Sequence, residues 1–195
     1  LANIESIRLL NIVNDRDCLI AFLPLYHIYA FTVTMLLPLL VHARISFPES
    51  LDFEEIMNCL RNTGVTIFPG VPRLFSLLRE RINQELKRRL FMLKPLLSAL
   101  LTILFPLRKY LRINLAKPIL YQVHEKFGGR LRFMISGGAK LNKEVAQELY
   151  KWGFTILEGY GLTETSPVVS FNGPSSFRLG SVGRPVSGVQ VKIEA

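Results

Sequence analysis

Two rhythms of apolar residues alternate along this chain and mark out helices and strands in turn. Ile4, Ile7, Leu9 and Leu10 fall near helical spacing, so residues 1–14 read as the end of a helix. The short apolar run 18–23, bounded by Asp17 and Pro24, has the length of a buried strand, and a loop and an apolar helix over about 31–40 follow. Asp52 is placed to cap a helix running to about Asn62, with Glu54 and Glu55 in its first turn and Gly64 as its stop. Residues 65–68 predict a strand and Pro69-Gly70 a turn; Pro72 suits the first turn of a helix carried by Leu74, Leu77, Leu78, Ile82 and Leu86. Farther on, strand patterns over 131–135 and 154–157 bracket a helix that starts at Asn142, aligns Val145, Ala146, Leu149 and Trp152 on one face, and stops at Gly153. Residues 189–195 read as a last strand. Strand, helix, strand at this spacing is a βαβ unit, so the expected class is α/β, a parallel sheet with flanking helices. Ligands of such sheets bind at the carboxyl ends of the strands. Ser136 to Ala139 and Glu158 to Glu164 both follow such ends, which directs two separate segments to one crevice.

Charge changes this picture in one place. The net charge is +9, and residues 73–117 alone, with eleven Lys and Arg against Glu80 and Glu85, account for all of it. Within that segment, 86–117 is rich in leucine: Phe91-Met92-Leu93 and then 96–107 are apolar almost all round, with basic residues on both sides. The run 96–107 is too short to span a bilayer. It reads either as a helical hairpin packed on its own domain or on a partner, or as an interfacial membrane element. Nucleic acid is not expected as a partner, because no aromatic residues are interleaved for stacking. Residues 18–41 also lack Asp, Glu, Lys and Arg, but Pro24, His27 and Pro38 argue for strand, loop and core helix there. No basic leader precedes an apolar run at the start of the chain, and Cys18 and Cys59 have no metal or redox spacing. The expected location is cytoplasmic, with peripheral contact on the inner face of a membrane left open. Both ends read as cut from something longer.

The candidate chemistry lies in Leu157-Glu158-Gly159-Tyr160-Gly161-Leu162-Thr163-Glu164-Thr165-Ser166-Pro167. Gly159 and Gly161 flank Tyr160, so unusual dihedrals and close approach of a ligand are expected there. Tyr160 offers a flat face for a planar base. Thr163 can donate to a phosphate oxygen. Glu164 is a hard oxygen ligand of the kind Mg²⁺ takes together with substrate phosphates. Thr165 and Ser166 can instead cap a turn before Pro167. His42 and His124 match no motif and read as structural, and the three histidines form no metal cluster.

Gly159-Tyr160-Gly161-Leu162-Thr163-Glu164-Thr165 resembles the nucleotide-binding motif of adenylate-forming enzymes, the superfamily of acyl-CoA synthetases, luciferase-like enzymes and adenylation domains. Three further segments resemble the same family, in family order. Pro24-Leu25-Tyr26-His27 is similar to a motif bordering the acyl pocket, and Ser136-Gly137-Gly138-Ala139 to the loop along the adenine edge. The segment 180–189 is similar to the one that follows the main motif. Among these enzymes the chain most resembles long-chain fatty acid–CoA ligases. The resemblance implies ATP, Mg²⁺ and CoA as cofactor and substrates, and a fatty acid as the group activated. It implies Tyr160 on adenine, Gly137, Gly138 and Ala139 along its edge, and Glu158, Gly159 and Gly161 near the nucleotide. It also implies Thr163 on phosphate, Glu164 on the metal and His27 beside the substrate carboxylate. The family's phosphate loop is expected before Leu1. Its ribose-binding aspartate, hinge and C-terminal lysine are expected after Ala195. Residues 1–195 are therefore expected to be a single incomplete AMP-binding domain with a basic helical insert at about 86–117, inactive alone. The rival readings are an adenylate-former serving a carrier protein or an amino acid, and a non-enzymatic membrane- or nucleic-acid-binding module.

Overall fold

Successive side chains of a strand point to opposite faces, and here each face meets its own apolar layer. A computed structural model describes residues 2–89 and 94–194. Among them, seven strands form one sheet in the order β2-β1-β3-β4-β5-β6-β7. The strands are β1 (Cys18–Ile20), β2 (Arg44–Ser46), β3 (Ile67–Gly70), β4 (Phe133–Ser136), β5 (Ile156–Gly161), β6 (Val168–Phe171) and β7 (Arg184–Pro185). The first five pair in parallel, and β6 and β7 add an antiparallel edge.

On one face, Cys18, Ile20, Phe68, Met134 and Ile156 pack under α4 (Phe53–Thr63), α5 (Pro72–Arg89), α6 (Lys94–Pro106), α8 (Tyr121–Lys126) and α9 (Lys143–Lys151). On the other, Leu19, Ile67, Phe133, Ile135 and Leu157 meet Ile7 of α1 (Ala2–Arg8). Val33 and Leu37 join them from one continuous helical stretch, α2 (Ile28–Ala30), a π-helical turn (Phe31–Leu36) and α3 (Leu37–Leu40). Burial on both faces is why these strands read as short, unbroken apolar runs.

Local signals hold where backbone chemistry is local. Asn142 caps α9, its side chain accepting from Glu144 N at 2.7 Å and Val145 N at 3.3 Å. Gly64 ends α4 in the left-handed region. Asp52 stands at the N-cap of α4, but its carboxylate accepts the Ser50 hydroxyl instead of a helix amide. His124 is structural: its ring is buried, Nε2 lies 2.9 Å from the Trp152 carbonyl, and it stacks on Phe154. Cys18 and Cys59 are free, buried thiols. Among the described residues no His, Cys, Asp or Glu cluster suits a metal, and no helix is long and apolar enough to cross a membrane.

Other expectations are corrected. The first helix ends at Arg8, and the second apolar helix begins at Ile28. Pro69 and Gly70 belong to β3, because they pair with Ile135 and Ser136 of the adjacent strand instead of turning. Residues 154–155 lie ahead of β5, which runs on through Gly161, held by Phe171, Ser170 and Val168 across the antiparallel pair. Residues 189–194 carry no strand. In the basic insert, Phe91-Met92-Leu93 lies outside the described residues. α6 continues into a π-helical turn (Leu107–Leu111), followed by α7 (Ala116–Ile119). Part of the insert's charge is spent inward. Arg108 is buried; it donates to Gly153 O at 3.0 Å, Thr155 Oγ1 at 2.9 Å and the Tyr150 carbonyl, and its guanidinium covers the Tyr150 ring. Ahead of the insert, on α5, Arg79 pairs with Glu148 of α9.

Candidate active-site cleft

The carboxyl ends of β1, β3, β4 and β5 open on one side of the sheet, and the loops leaving them enclose a cleft of about 640 Å³. That lies within the usual range for small-molecule sites, about 300–1,000 Å³. Leu23, Pro24 and His27 come from the loop after β1, Val71 follows β3, Ser136 to Ala139 follow β4, and Gly159 to Glu164 form the end of β5 and the turn beyond it. The two segments directed to one crevice by the strand pattern do meet there, and His27 joins them.

The β4 loop is built for close approach. Gly138 has φ +84°, and a Cβ added to it would meet only Val71 at 3.9 Å, so this left-handed residue faces open space. The Ser136 hydroxyl is buried and has no hydrogen-bond partner among the described residues. A buried, unpaired hydroxyl costs free energy unless something enters to bond it. Tyr29 lies beneath this loop, its hydroxyl 3.1 Å from Ile135 O and 3.3 Å from Gly70 O. It ties the ends of β3 and β4 together, and burial pushes its hydroxyl pKa up.

On the opposite wall Tyr160 is half exposed and Leu162, Thr163 and Glu164 are exposed, with a 3₁₀ turn over Thr163–Thr165. Gly159 and Gly161 do not take the unusual dihedrals expected of them; neither has positive φ. Gly161 is required for a different reason, since a Cβ there would lie 1.8 Å from the Pro167 carbonyl across the hairpin. Thr165 caps the turn: its hydroxyl receives Leu162 N at 3.0 Å and lies 2.6 Å from Pro167 O.

Glu158 stands apart. Its side chain is buried behind the wall, not in the cleft lining, and burial pushes its carboxyl pKa up, partly offset by the backbone N–H of Gly180. Its backbone carbonyl accepts Asn172 N at 2.9 Å. Residues 180–183 thus support β5 from behind, and Ser170 donates to Val182 O at 3.0 Å. His27 is exposed at the start of α2, its ring 4.4 Å from that of Tyr26.

Sequence reading missed the apolar half of the cleft. Ile7, Ile12, Val33, Leu37, Val168 and Phe171 line it, brought in from α1 and the segment after it, the helical stretch after His27 and the antiparallel strand β6. Tyr29 lies two residues beyond the recognised Pro24–His27 segment, and its hydroxyl-bearing ring next to that motif was the one available signal.

The lining has two chemically distinct parts. It has a polar rim with a flat ring, hydroxyls and one carboxylate, and a floor of aliphatic side chains. Mg²⁺ fits the single carboxylate of Glu164 only with substrate phosphates as its other ligands, which is how Mg²⁺ is commonly held. Comparison with known proteins shows the family of this chain. It is 31% identical over 185 residues to the peroxisomal long chain acyl-CoA synthetase 7 of Arabidopsis thaliana, covering 91% of this chain and 26% of that protein. It is 32% identical over 187 residues to the human long-chain-fatty-acid–CoA ligase 1, covering 91% of this chain and 26% of that protein. The chain therefore spans about a quarter of the length of these curated relatives. Its fold matches the N-terminal domain of FACL13 from Mycobacterium tuberculosis with a TM-score of 0.64 at 18% identity, covering 94% of this chain and 37% of that one. It matches the O-succinylbenzoate coenzyme A synthetase of Bacillus subtilis, solved in complex with AMP, with a TM-score of 0.64 at 19% identity, covering 99% of this chain and 32% of that one. The AMP-binding enzyme family model covers residues 1–195, and the chain belongs to that family.

Proposed function

We propose that these residues form part of the adenylation site of a long-chain fatty acid–CoA ligase. The observation that carries this reading is the meeting of Ser136 to Ala139, Tyr160 to Glu164 and His27 around one cleft with an aliphatic floor. The reaction has two displacements. A carboxylate oxygen of the fatty acid attacks the α-phosphorus of ATP, and pyrophosphate leaves. The CoA thiol then attacks the acyl carbon, and AMP leaves.

Tyr160 stacks on the adenine, with Gly137, Gly138 and Ala139 along its edge, and the free Ser136 hydroxyl is available to the same ligand. Gly159 and Gly161 keep that wall thin. Thr163 donates to a phosphate oxygen. Glu164 holds Mg²⁺, which when bound would neutralise phosphate charge. His27 borders the carboxylate, and the alkyl chain lies along Val33, Leu37, Val168 and Phe171. Glu158 acts from behind, fixing the segment around Gly180 against β5. Positioning and charge neutralisation supply most of the acceleration in such a transfer. The 195 residues provide only part of the site on this reading and turn over nothing by themselves. The protein works in the cytoplasm, in peripheral contact with a membrane through 86–117.

The test is Glu164→Gln in the full-length enzyme. Loss of the metal ligand lowers ATP–pyrophosphate exchange by on the order of a hundredfold or more while the unfolding transition stays in place. Near-normal exchange would remove Glu164 from the site. CoA-dependent release of AMP distinguishes a CoA ligase from an enzyme that loads a carrier protein or an amino acid.

A further inference from the structure

The turn over 162–167, which carries Thr163 and Glu164, is tied by hydrogen bonds only to itself. Leu162 N reaches Pro167 O and Thr165 Oγ1, both at 3.0 Å, Thr165 N reaches Leu162 O at 3.1 Å, and Ser166 N reaches Thr163 O at 3.3 Å. Among the described residues no hydrogen bond leads from 162–167 to any other part of the chain. The turn therefore takes its position from its two ends, Gly161 and Val168. At the first of these the pairing of β5 with β6 becomes irregular, between Tyr160 and Gly161.

The Val168 end is held from far along the chain. Asn3 Nδ2 donates to Val168 O at 2.6 Å, and Asn3 Oδ1 accepts from Val168 N at 3.1 Å. A carboxamide presents a donor and an acceptor side by side, so one side chain meets both backbone groups of one residue. The sequence of α1 aims this group at the sheet edge. Asn3, Ser6 and Ile7 are spaced by three and four residues and so share one face of the helix. Ile7 is buried and lines the cleft. Ser6 Oγ lies 2.8 Å from Ser187 O, just beyond β7, and 2.9 Å from Ala2 O. Thus α1 clasps the antiparallel edge at two points, and Asn3 grips it at the first residue after the turn.

The consequence falls on Glu164. Its side chain is exposed and has no hydrogen-bond or ionic partner among the described residues, so the backbone that carries it decides where its carboxylate lies. A displacement of about 1 Å in a group that positions reacting atoms costs on the order of a hundredfold in rate. Val168 is itself buried in the cleft lining, so the same clasp also sets part of the aliphatic floor.

We propose that Asn3 is a positioning residue of this site: by holding both backbone groups of Val168 it fixes the turn that carries Thr163 and Glu164. It rests on the ligase reading for what Thr163 and Glu164 do, and not for the clasp itself.

The experiment compares the full-length enzyme with Asn3→Ala and with Asn3→Asp, which keeps the size and the acceptor but loses the donor. The first readout is amide hydrogen exchange without substrates, which needs no activity. Exchange across 162–168 is expected to quicken roughly tenfold in both variants, with β3 and β4 unchanged. The second is ATP–pyrophosphate exchange over a range of Mg²⁺ concentrations. The maximal rate is expected to fall by between about tenfold and a hundredfold, and half of it to need more Mg²⁺ than in wild type. In a Glu164→Gln background Asn3→Ala is expected to cost much less, because the carboxylate it misplaces is already gone. Unchanged amide exchange at 162–168 overturns the proposal. So does a wild-type rate and Mg²⁺ requirement in either variant. A loss of rate that is independent of Glu164→Gln and leaves the Mg²⁺ requirement alone makes Asn3 a general stabilising contact, which also overturns it. Wild-type pyrophosphate exchange in Glu164→Gln alone defeats the ligase reading of that residue, while quickened amide exchange in the Asn3 variants still bears out the clasp.

Discussion

Replacing Gly137 by alanine tests how the adenine-edge loop is held. A Cβ at this position would lie 2.7 Å from Cε2 and 2.9 Å from Cζ of the Tyr29 ring, closer than real side chains pack. The ring has little freedom to yield, because its hydroxyl is shared between Ile135 O and Gly70 O at the ends of two adjacent strands. Overpacking of this kind costs about 1–3 kcal/mol, and Gly→Ala at an ordinary φ returns about 0.4–1 kcal/mol by restricting the unfolded chain. The expected net loss is between about zero and 2.6 kcal/mol, read as a lower urea midpoint with unchanged slope. Trp152, the single tryptophan and a buried one, reports the transition by fluorescence. The decisive comparison is a double-mutant cycle. Tyr29→Ala destabilises strongly by itself, but adding Gly137→Ala to it should cost almost nothing, a coupling of about 1–3 kcal/mol. Strict additivity of the two substitutions would refute the argument that Tyr29 braces this loop.

Two further outcomes follow from buried groups on the other face of the sheet. Burial pushes the His124 imidazole down to about 4 from an ordinary 6.5, so the folded state keeps it neutral while the unfolded chain binds the proton. Its contribution to stability is complete above about 6.5 and is lost as pH falls toward 4, by at most about 3 kcal/mol. Urea midpoints of wild type and His124→Phe across that window check this, and parallel pH profiles would rule it out. Arg108→Lys removes the fork that serves Tyr150 O, Gly153 O and Thr155 Oγ1, and an ammonium cannot replace all three bonds. A loss of about 2–4 kcal/mol is expected by chemical denaturation. A change under about 0.5 kcal/mol would mean that Arg108 is solvated in solution.

The sequence alone was enough for whatever depends on neighbours a few residues away. The Asn142 cap, the Gly64 and Gly153 stops, the helices around Leu60, Leu78 and Leu149 and the apolar runs of β1, β3 and β4 are written in local periodicity and backbone chemistry. The parallel order followed, since strand–helix–strand spacing leaves few other solutions, and with it came the meeting of the β4 and β5 loops. Three-dimensional packing decided the rest. β2, β6 and β7 are short and owe their form to partners supplied by distant segments, so no pattern within them announced a strand. The turn expected at Pro69-Gly70 became strand because the neighbouring β4 offered it a register, and the flexibility expected of Gly161 proved to be room for the Pro167 carbonyl. The basic insert shows the division most clearly. Composition revealed an excess of cations around leucines, but only the fold shows Arg108 turned inward onto backbone carbonyls while Leu96 and Ile103 face outward. Which side of a helix is buried depends on what packs against it, and that information lies in α9, some forty residues away.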